Sequence, residues 1–358
     1  MVGRRRQALL AVLVVGGSCL VLGAAGARAA GSGQPVKGER VVGAEEAPPV
    51  GPGPGRVFIV DPATGAVQVA RFGKPGTLSG NSFRIGYDRA RDALYVPSEA
   101  GRMTVLNGAT LKPEAVFPII GGARLALVVA RRHLVLVLSG QDLAAYDLAT
   151  HRPLFTLPVG GNAIAVSARG SRVFVGGNMD RSVTEVSLPG GRRVASYPIA
   201  RSGDLLMADG HLFSADIKSG VLSMLEPRTG KIVTVRTNEV DPHFSYKRIG
   251  AAVAGFMQLA AARSGGIVYV AGFSGHILKF SAATGHSLGE VAVDAGPGAN
   301  KLSGLAVLAG GREGVVTIES RGEAAVVDLR NGKILRLLKD VTSNRWVVAL
   351  PVAPRHAA

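Results

Sequence analysis

Cysteine is all but absent from this chain of 358 residues: Cys19 is the only one. It falls in a segment expected to be removed, after which no disulfide, zinc–thiolate centre or cysteine nucleophile can form. Aromatic residues are scarce at 5%, and Trp346 is the sole tryptophan, which counts against a sugar-binding platform of stacked rings. No H-E-x-x-H, EF-hand loop, P-loop or G-x-S-x-G elbow occurs, so no motif declares a reaction, and neither a metal site nor a cofactor is expected. Past the first thirty residues no apolar stretch is long enough for a membrane-spanning helix, and no helical period is sustained.

What is present begins with an export signal. Arg4, Arg5 and Arg6 precede an apolar and small-residue run from Ala8 to Gly26, and Ala27-Arg28-Ala29 follows as an A-x-A cleavage site. Cleavage is expected near Ala29 or Ala30, with residues 1–30 as signal peptide and a periplasmic or extracellular product. Two alternatives keep the chain on a membrane. An uncleaved anchor is disfavoured by Gly16, Gly17, Gly23 and Gly26 within the run. A lipidated Cys19 is disfavoured because Gly16, not a branched apolar residue, stands three positions before it. Residues 31–55, rich in Gly, Pro and Glu, read as a flexible leader, although Glu39-Arg40-Val41-Val42 has the make-up of a short docking strand. Residues 353–358 read as a C-terminal tail.

The formal charge is +16, from 41 lysines and arginines against 25 acids. Loss of Arg4, Arg5, Arg6 and Arg28 with the signal leaves +12. Such a chain favours an anionic ligand or a partner protein outside the cytoplasm. Its basic residues are scattered, and an exported protein meets little nucleic acid, so nucleic acid is not the expected partner.

A repeat organises the remainder. Seven polar turns separate pairs of short apolar runs, starting at Asp61, Asn107, Asp147, Ser187, Glu226, Ser281 and Asp328, with spacings of 46, 40, 40, 39, 55 and 47. A period of about 40–50 residues with several strands in each unit marks a propeller blade. The first residue of each turn can accept hydrogen bonds from amides two residues on, and a final glycine, as at Gly65, Gly230, Gly285 and Gly332, supplies a positive φ. Each turn is therefore expected to join the third and fourth strands of a blade. The unit over 83–119 reads as four strands, and the order recurs in the units that follow.

Two of the second strands, Ala93-Leu-Tyr-Val-Pro-Ser98 and Ile267-Val-Tyr-Val-Ala271, resemble the signature strand of the YVTN-family β-propeller repeat. The turns Asp61-Pro-Ala-Thr-Gly65 and Ser281-Ala-Ala-Thr-Gly285 resemble that family's D-x-x-T-G turn, whereas Ser187-Leu-Pro-Gly-Gly191 departs from it. The resemblance runs over roughly residues 56–352. It implies an all-β, seven-bladed propeller of four-stranded antiparallel blades, in a superfamily that includes the large subunits of quinoprotein amine dehydrogenases, lactonases and lyases. A quinone cofactor held between a tryptophan and a cysteine pair is not expected, because Trp346 stands alone and no cysteine survives cleavage.

Closure follows from the ends. One clear strand, Arg56-Val-Phe-Ile-Val60, precedes the first turn, while the last unit is followed by an extra apolar run, Trp346-Val-Val-Ala-Leu350. This C-terminal run is expected to complete the first blade, which removes an exposed sheet edge.

Function is expected on the face that carries the loops between blades and between second and third strands. The 55-residue spacing isolates 238–255, which gathers Asp241, His243, Tyr246, Lys247 and Arg248. His243 with Asp241 is a candidate acid–base pair or half of a metal site; a solvated loop is the competing reading. Arg102, Arg181 and Arg201 join these residues as candidate ligand contacts, and Lys218, Lys301 and Arg321 are placed on the same face, with Glu99, Asp180 and Asp204 among them. The leading expectation is an exported ligand-binding or protein-interaction scaffold. The alternatives are a companion of a periplasmic amine dehydrogenase, a lactonase- or lyase-type enzyme, and an envelope protein held on anionic polymers.

Overall fold

The computed structural model describes residues 39–45, 55–72, 84–177, 180–216, 219–239, 256–262, 265–297, 300–318, 321, 323–338 and 346–350. The signal, the tail and most of the 238–255 loop, including Asp241, His243, Tyr246, Lys247 and Arg248, lie outside them. Seven sheets of four antiparallel strands make a ring of seven blades, as the repeat implies. Blades two to seven follow chain order, over 86–118, 123–157, 163–197, 202–236, 256–292 and 302–338. First strands of successive blades lie against one another around a central channel, and the later strands step outward.

Blade one draws on both ends of the chain. Its strands run in the order Trp346–Leu350, Arg40–Glu45, Gly55–Val60, Val67–Phe72. Val42 pairs with Val348 and Gly43 with Val347, so the C-terminal strand completes the blade, as expected, and takes the position of its first strand. The stretch Arg40–Glu45, inside the segment read as a leader, is the second strand of this blade. The propeller thus starts at residue 40 rather than 56. Val41 and Val42 are fully buried, and that apolar pair outweighs the Gly- and Pro-rich surroundings. Gly43 is required here: a Cβ would stand 2.2 Å from the Phe58 ring, which lies across it.

The turns form as their chemistry dictates. In all seven, the fifth residue's N–H donates to the first residue's carbonyl, from Gly65 to Asp61 (2.7 Å) through Gly332 to Asp328 (2.8 Å). Asp61 Oδ1 also accepts from the Ala63 amide at 2.9 Å, and Thr64 Oγ1 donates to Asp61 Oδ2 at 2.7 Å. Ser187 closes its turn on Gly191 at 3.0 Å despite lacking the Asp and Thr. Leu111 and His151 take the left-handed position that glycine holds elsewhere, at φ 57° and 59°.

Seven buried apolar clusters hold the ring, one between each pair of neighbouring blades. This explains the sequence pattern. A second strand such as Leu134–Ser139 is buried throughout and apolar up to its final serine, whereas an outer strand such as Pro153–Leu157 is largely exposed. Each blade supplies one half of two cores, so no blade is complete without its neighbours.

Candidate functional site

The antiparallel order of each blade puts the loops between blades, and those joining second to third strands, on one face. Arg102 opens the third strand of blade two, Arg181 precedes that of blade four, and Arg201 lies in the link from blade four to blade five. All three therefore share the face expected of them. Arg181 and Arg201 belong to neighbouring loops, tied by the Arg201 amide donating to the Asp180 carbonyl at 2.8 Å; Arg102 is two blades away. Arg102 and Arg181 are exposed and form no ion pair with an acid among the described residues. Arg201 is held at φ 55° with its Nε donating to Asp216 Oδ2 at 3.0 Å.

Glu239, at the start of the 238–255 loop, is buried. Its carboxylate accepts hydrogen bonds from the amide and the hydroxyl of Ser274. His276 Nδ1 lies 2.8 Å from the same hydroxyl. The chemical order is Glu–Ser–His, with the serine in the middle. A nucleophilic triad needs the histidine there, so this cluster anchors the carboxylate of Glu239 and does not activate Ser274. Burial raises the Glu239 pKa, and the two bonds from Ser274 oppose that rise. Gly272 leaves the room: a Cβ there would sit 2.7 Å from the Glu239 carboxyl carbon.

The channel carries a polar belt. The first strands of blades three, five, six and seven are each irregular near their start, where the pairing slips by a residue or more. Such a bulge frees a backbone amide and re-aims a side chain. The previous blade supplies the acceptor. Asp204 Oδ2 takes the Leu259 amide of blade six at 2.9 Å, and Gln258 Oε1 takes the Leu305 amide of blade seven at 3.0 Å. Asp204 Oδ1 also accepts from the Leu205 amide at 2.8 Å. From blade two, Arg84 donates to the Ile164 carbonyl of blade four at 2.8 Å and approaches Asp204 Oδ1 at 3.9 Å. Burial pushes the Asp204 pKa up to about 6, against the pull of Arg84 and the two amides.

A third feature is a recess of about 290 Å³ between the 198–201 link and the face of blade five. Its floor is a row of hydroxyls on paired strands, Ser214 opposite Ser223 and Ser223 opposite Thr234. Ser214 Oγ donates to Ser202 Oγ at 2.8 Å. Lined up by their place in the second strand, Val96, Val137, Val175 and Val270 hold the position that Ser214 holds in blade five. Arg201, Asp216 and Arg236 lie at the rim. Neither the belt nor the recess was read from the sequence. The signal lay in the blade alignment: a polar Arg84, Asp204 or Gln258 just ahead of an aliphatic residue, and Ser214 in place of valine.

Among the described residues, no three His, Cys, Asp or Glu side chains come together as metal ligands. No helix among them is long and apolar enough to cross a membrane.

The fold and its channel define a seven-bladed β-propeller repeat protein. Within that class, the chain belongs to the family described as outer membrane protein assembly factor BamB, whose profile matches residues 159–351, more than half of its length. No curated protein matches it. Among solved structures, it is similar to a functionally unknown protein from Desulfotomaculum acetoxidans (TM-score 0.67, 12% identity, 87% of this chain and 98% of that one). It is also similar to the hydrazine synthase of Kuenenia stuttgartiensis (TM-score 0.59, 11% identity, 71% of this chain and 78% of that one). At such identities the likeness is one of fold.

Proposed function

We propose that this chain is an exported, non-catalytic scaffold that binds an anionic partner on the face bearing Arg102, Arg181 and Arg201. The observation that carries the reading is the pair of exposed guanidiniums on that face, Arg102 and Arg181, neither of them in an ion pair with an acid among the described residues. The neighbouring guanidiniums are matched, Arg124 to Glu99 and Arg321 to Glu323. The polar groups at the channel mouth are committed to joining blades, as Asp204 and Gln258 are, and this favours a rigid platform over a reaction centre. The signal-like pattern read over residues 1–30 and the family's description as an assembly factor favour binding work outside the cytoplasm.

The test is binding of a labelled polyanion, dextran sulfate, across a salt series. Arg102→Gln with Arg181→Gln is compared with Arg192→Gln and Lys231→Gln, which open outer strands on the opposite face. The first pair is expected to weaken binding at least tenfold at physiological salt and the second to change it little. Equal weakening by both pairs would mean that net charge, not this face, does the binding.

A further inference from the structure

The geometry points to a small-molecule site in the recess between the 198–201 link and blade five, built for a compact organic oxyanion, a carboxylate or a phosphate ester. The strongest evidence is a set of donors that the fold does not use. Ser223 is 8% exposed, Thr234 and Arg236 are exposed, and among the described residues neither hydroxyl nor the Arg236 guanidinium has a hydrogen-bond partner. At the second-strand position of this face, blades two, three, four and six carry a valine where blade five carries Ser214. The hydroxyls here open into the recess.

Charge sets the class of ligand. Asp216 is satisfied by Arg201 Nε and by Ser219 Oγ, at 3.0 and 2.6 Å. Among the described residues the positive charge of Arg236 has no such counterpart, so the recess holds one unneutralised cation flanked by two hydroxyl donors. Arginine presents paired N–H groups that match a carboxylate or phosphate edge. Pro198, Ile199 and Val221 supply an apolar wall, suited to the carbon part of the ligand. A volume near 290 Å³ is at the small end of ligand pockets, which begin at about 300 Å³, so the occupant is compact and singly anchored. The recess opens on the face of the proposed polyanion surface and shares Arg201 with it, but the donors it adds are Ser223, Thr234 and Arg236, not Arg102 or Arg181.

The experiment is a thermal-shift and calorimetric titration of the folded protein at fixed ionic strength with four probes: acetate, succinate, inorganic phosphate and glycerol 3-phosphate. At least one probe is expected to bind saturably, and the better of the carboxylate and phosphate arms identifies the class. Arg236→Gln is expected to weaken that probe more than tenfold and Ser223→Ala several-fold, while Arg192→Gln, a basic residue on the opposite face, leaves it unchanged. Arg236 is exposed, so its substitution is not expected to alter the melting temperature without ligand. Absence of saturable binding by every probe, or equal weakening by Arg192→Gln, overturns the proposal. Either result leaves the polyanion test standing on its own residues.

Discussion

Arg84 and Asp204 belong to blades two and five, yet their charged groups stand 3.9 Å apart in the channel. Blades three and four separate them in sequence, and the closed ring brings them together. Asp204 is buried, and its pKa is raised on folding to about 6. An acid whose pKa is raised binds its proton more tightly in the folded chain. Its contribution to stability is therefore whole below the unfolded value, near 4, and is lost as pH rises through about 6. The span corresponds to on the order of 2–3 kcal/mol. We expect the melting temperature to fall across that window in the parent and to stay flatter in Asp204→Asn. That variant is also less stable at neutral pH, because its amide cannot accept from both Leu205 and Leu259. In Arg84→Met the inflection moves to higher pH, since the group that opposes burial is gone. Parallel pH profiles in all three proteins would contradict this reading.

Such a pair shows why the fold was more legible than the site. The turn beginning at Asp61 is local chemistry, with acceptor, donor and glycine within five residues, so the repeat can be read directly. The closing strand at Trp346 could be inferred from what blade one lacked. Arg84 and Asp204, by contrast, meet through curvature that no local pattern encodes. The recess depends on Ser214, Ser223 and Thr234 falling in register across three strands, and each serine alone is an ordinary strand residue. The strand Arg40–Glu45 was legible in part, as the docking segment Glu39–Val42, but its place inside blade one was masked by the glycines and prolines around its two buried valines.

That strand is clasped to blade two. Arg40 donates to the Gly108 carbonyl at 2.6 Å and to Asp92 Oδ1 at 2.8 Å, and Tyr87 donates its hydroxyl to the same oxygen at 2.9 Å. Burial, together with Asp92, pushes the Tyr87 pKa up to about 12, so the phenol keeps its proton and remains a donor. Removing Arg40 leaves Asp92 largely buried without its cation. We expect Arg40→Met to cost about 2–4 kcal/mol in urea unfolding. A loss below about 0.5 kcal/mol, the size of an ordinary surface change, would show that the strand does not help to hold the ring.

Two turns separate backbone strain from side-chain packing. Leu111 and His151 both occupy the left-handed region, which costs a residue with a Cβ about 1–2 kcal/mol. The His151 ring stacks on Phe117 at 4.1 Å, worth about 0.5–1.5 kcal/mol, so loss and relief nearly cancel. We expect His151→Gly to lie within about 1 kcal/mol of the parent. Leu111 is 6% exposed within the core between blades one and two, and burial outweighs strain, so Leu111→Gly is expected to cost about 2 kcal/mol or more. Equal costs in chemical unfolding would mean that one of these contacts is misassigned.

The cross-channel approach of Arg84 to Asp204 depends on the curvature of a ring shut by its last strand. The most direct measurement is a cysteine cross-link between Val42 and Val348, which are paired across that seam, in a chain whose single cysteine is replaced by Cys19→Ser. Directly paired strand residues lie within disulfide reach. Under mild oxidation Val42→Cys with Val348→Cys is expected to form an intramolecular disulfide, seen as altered mobility without reductant, while Val42→Cys with Leu350→Cys, out of register, is not. If both thiols of the in-register pair stay free and react readily with an alkylating reagent in the folded protein, the ring is not closed this way.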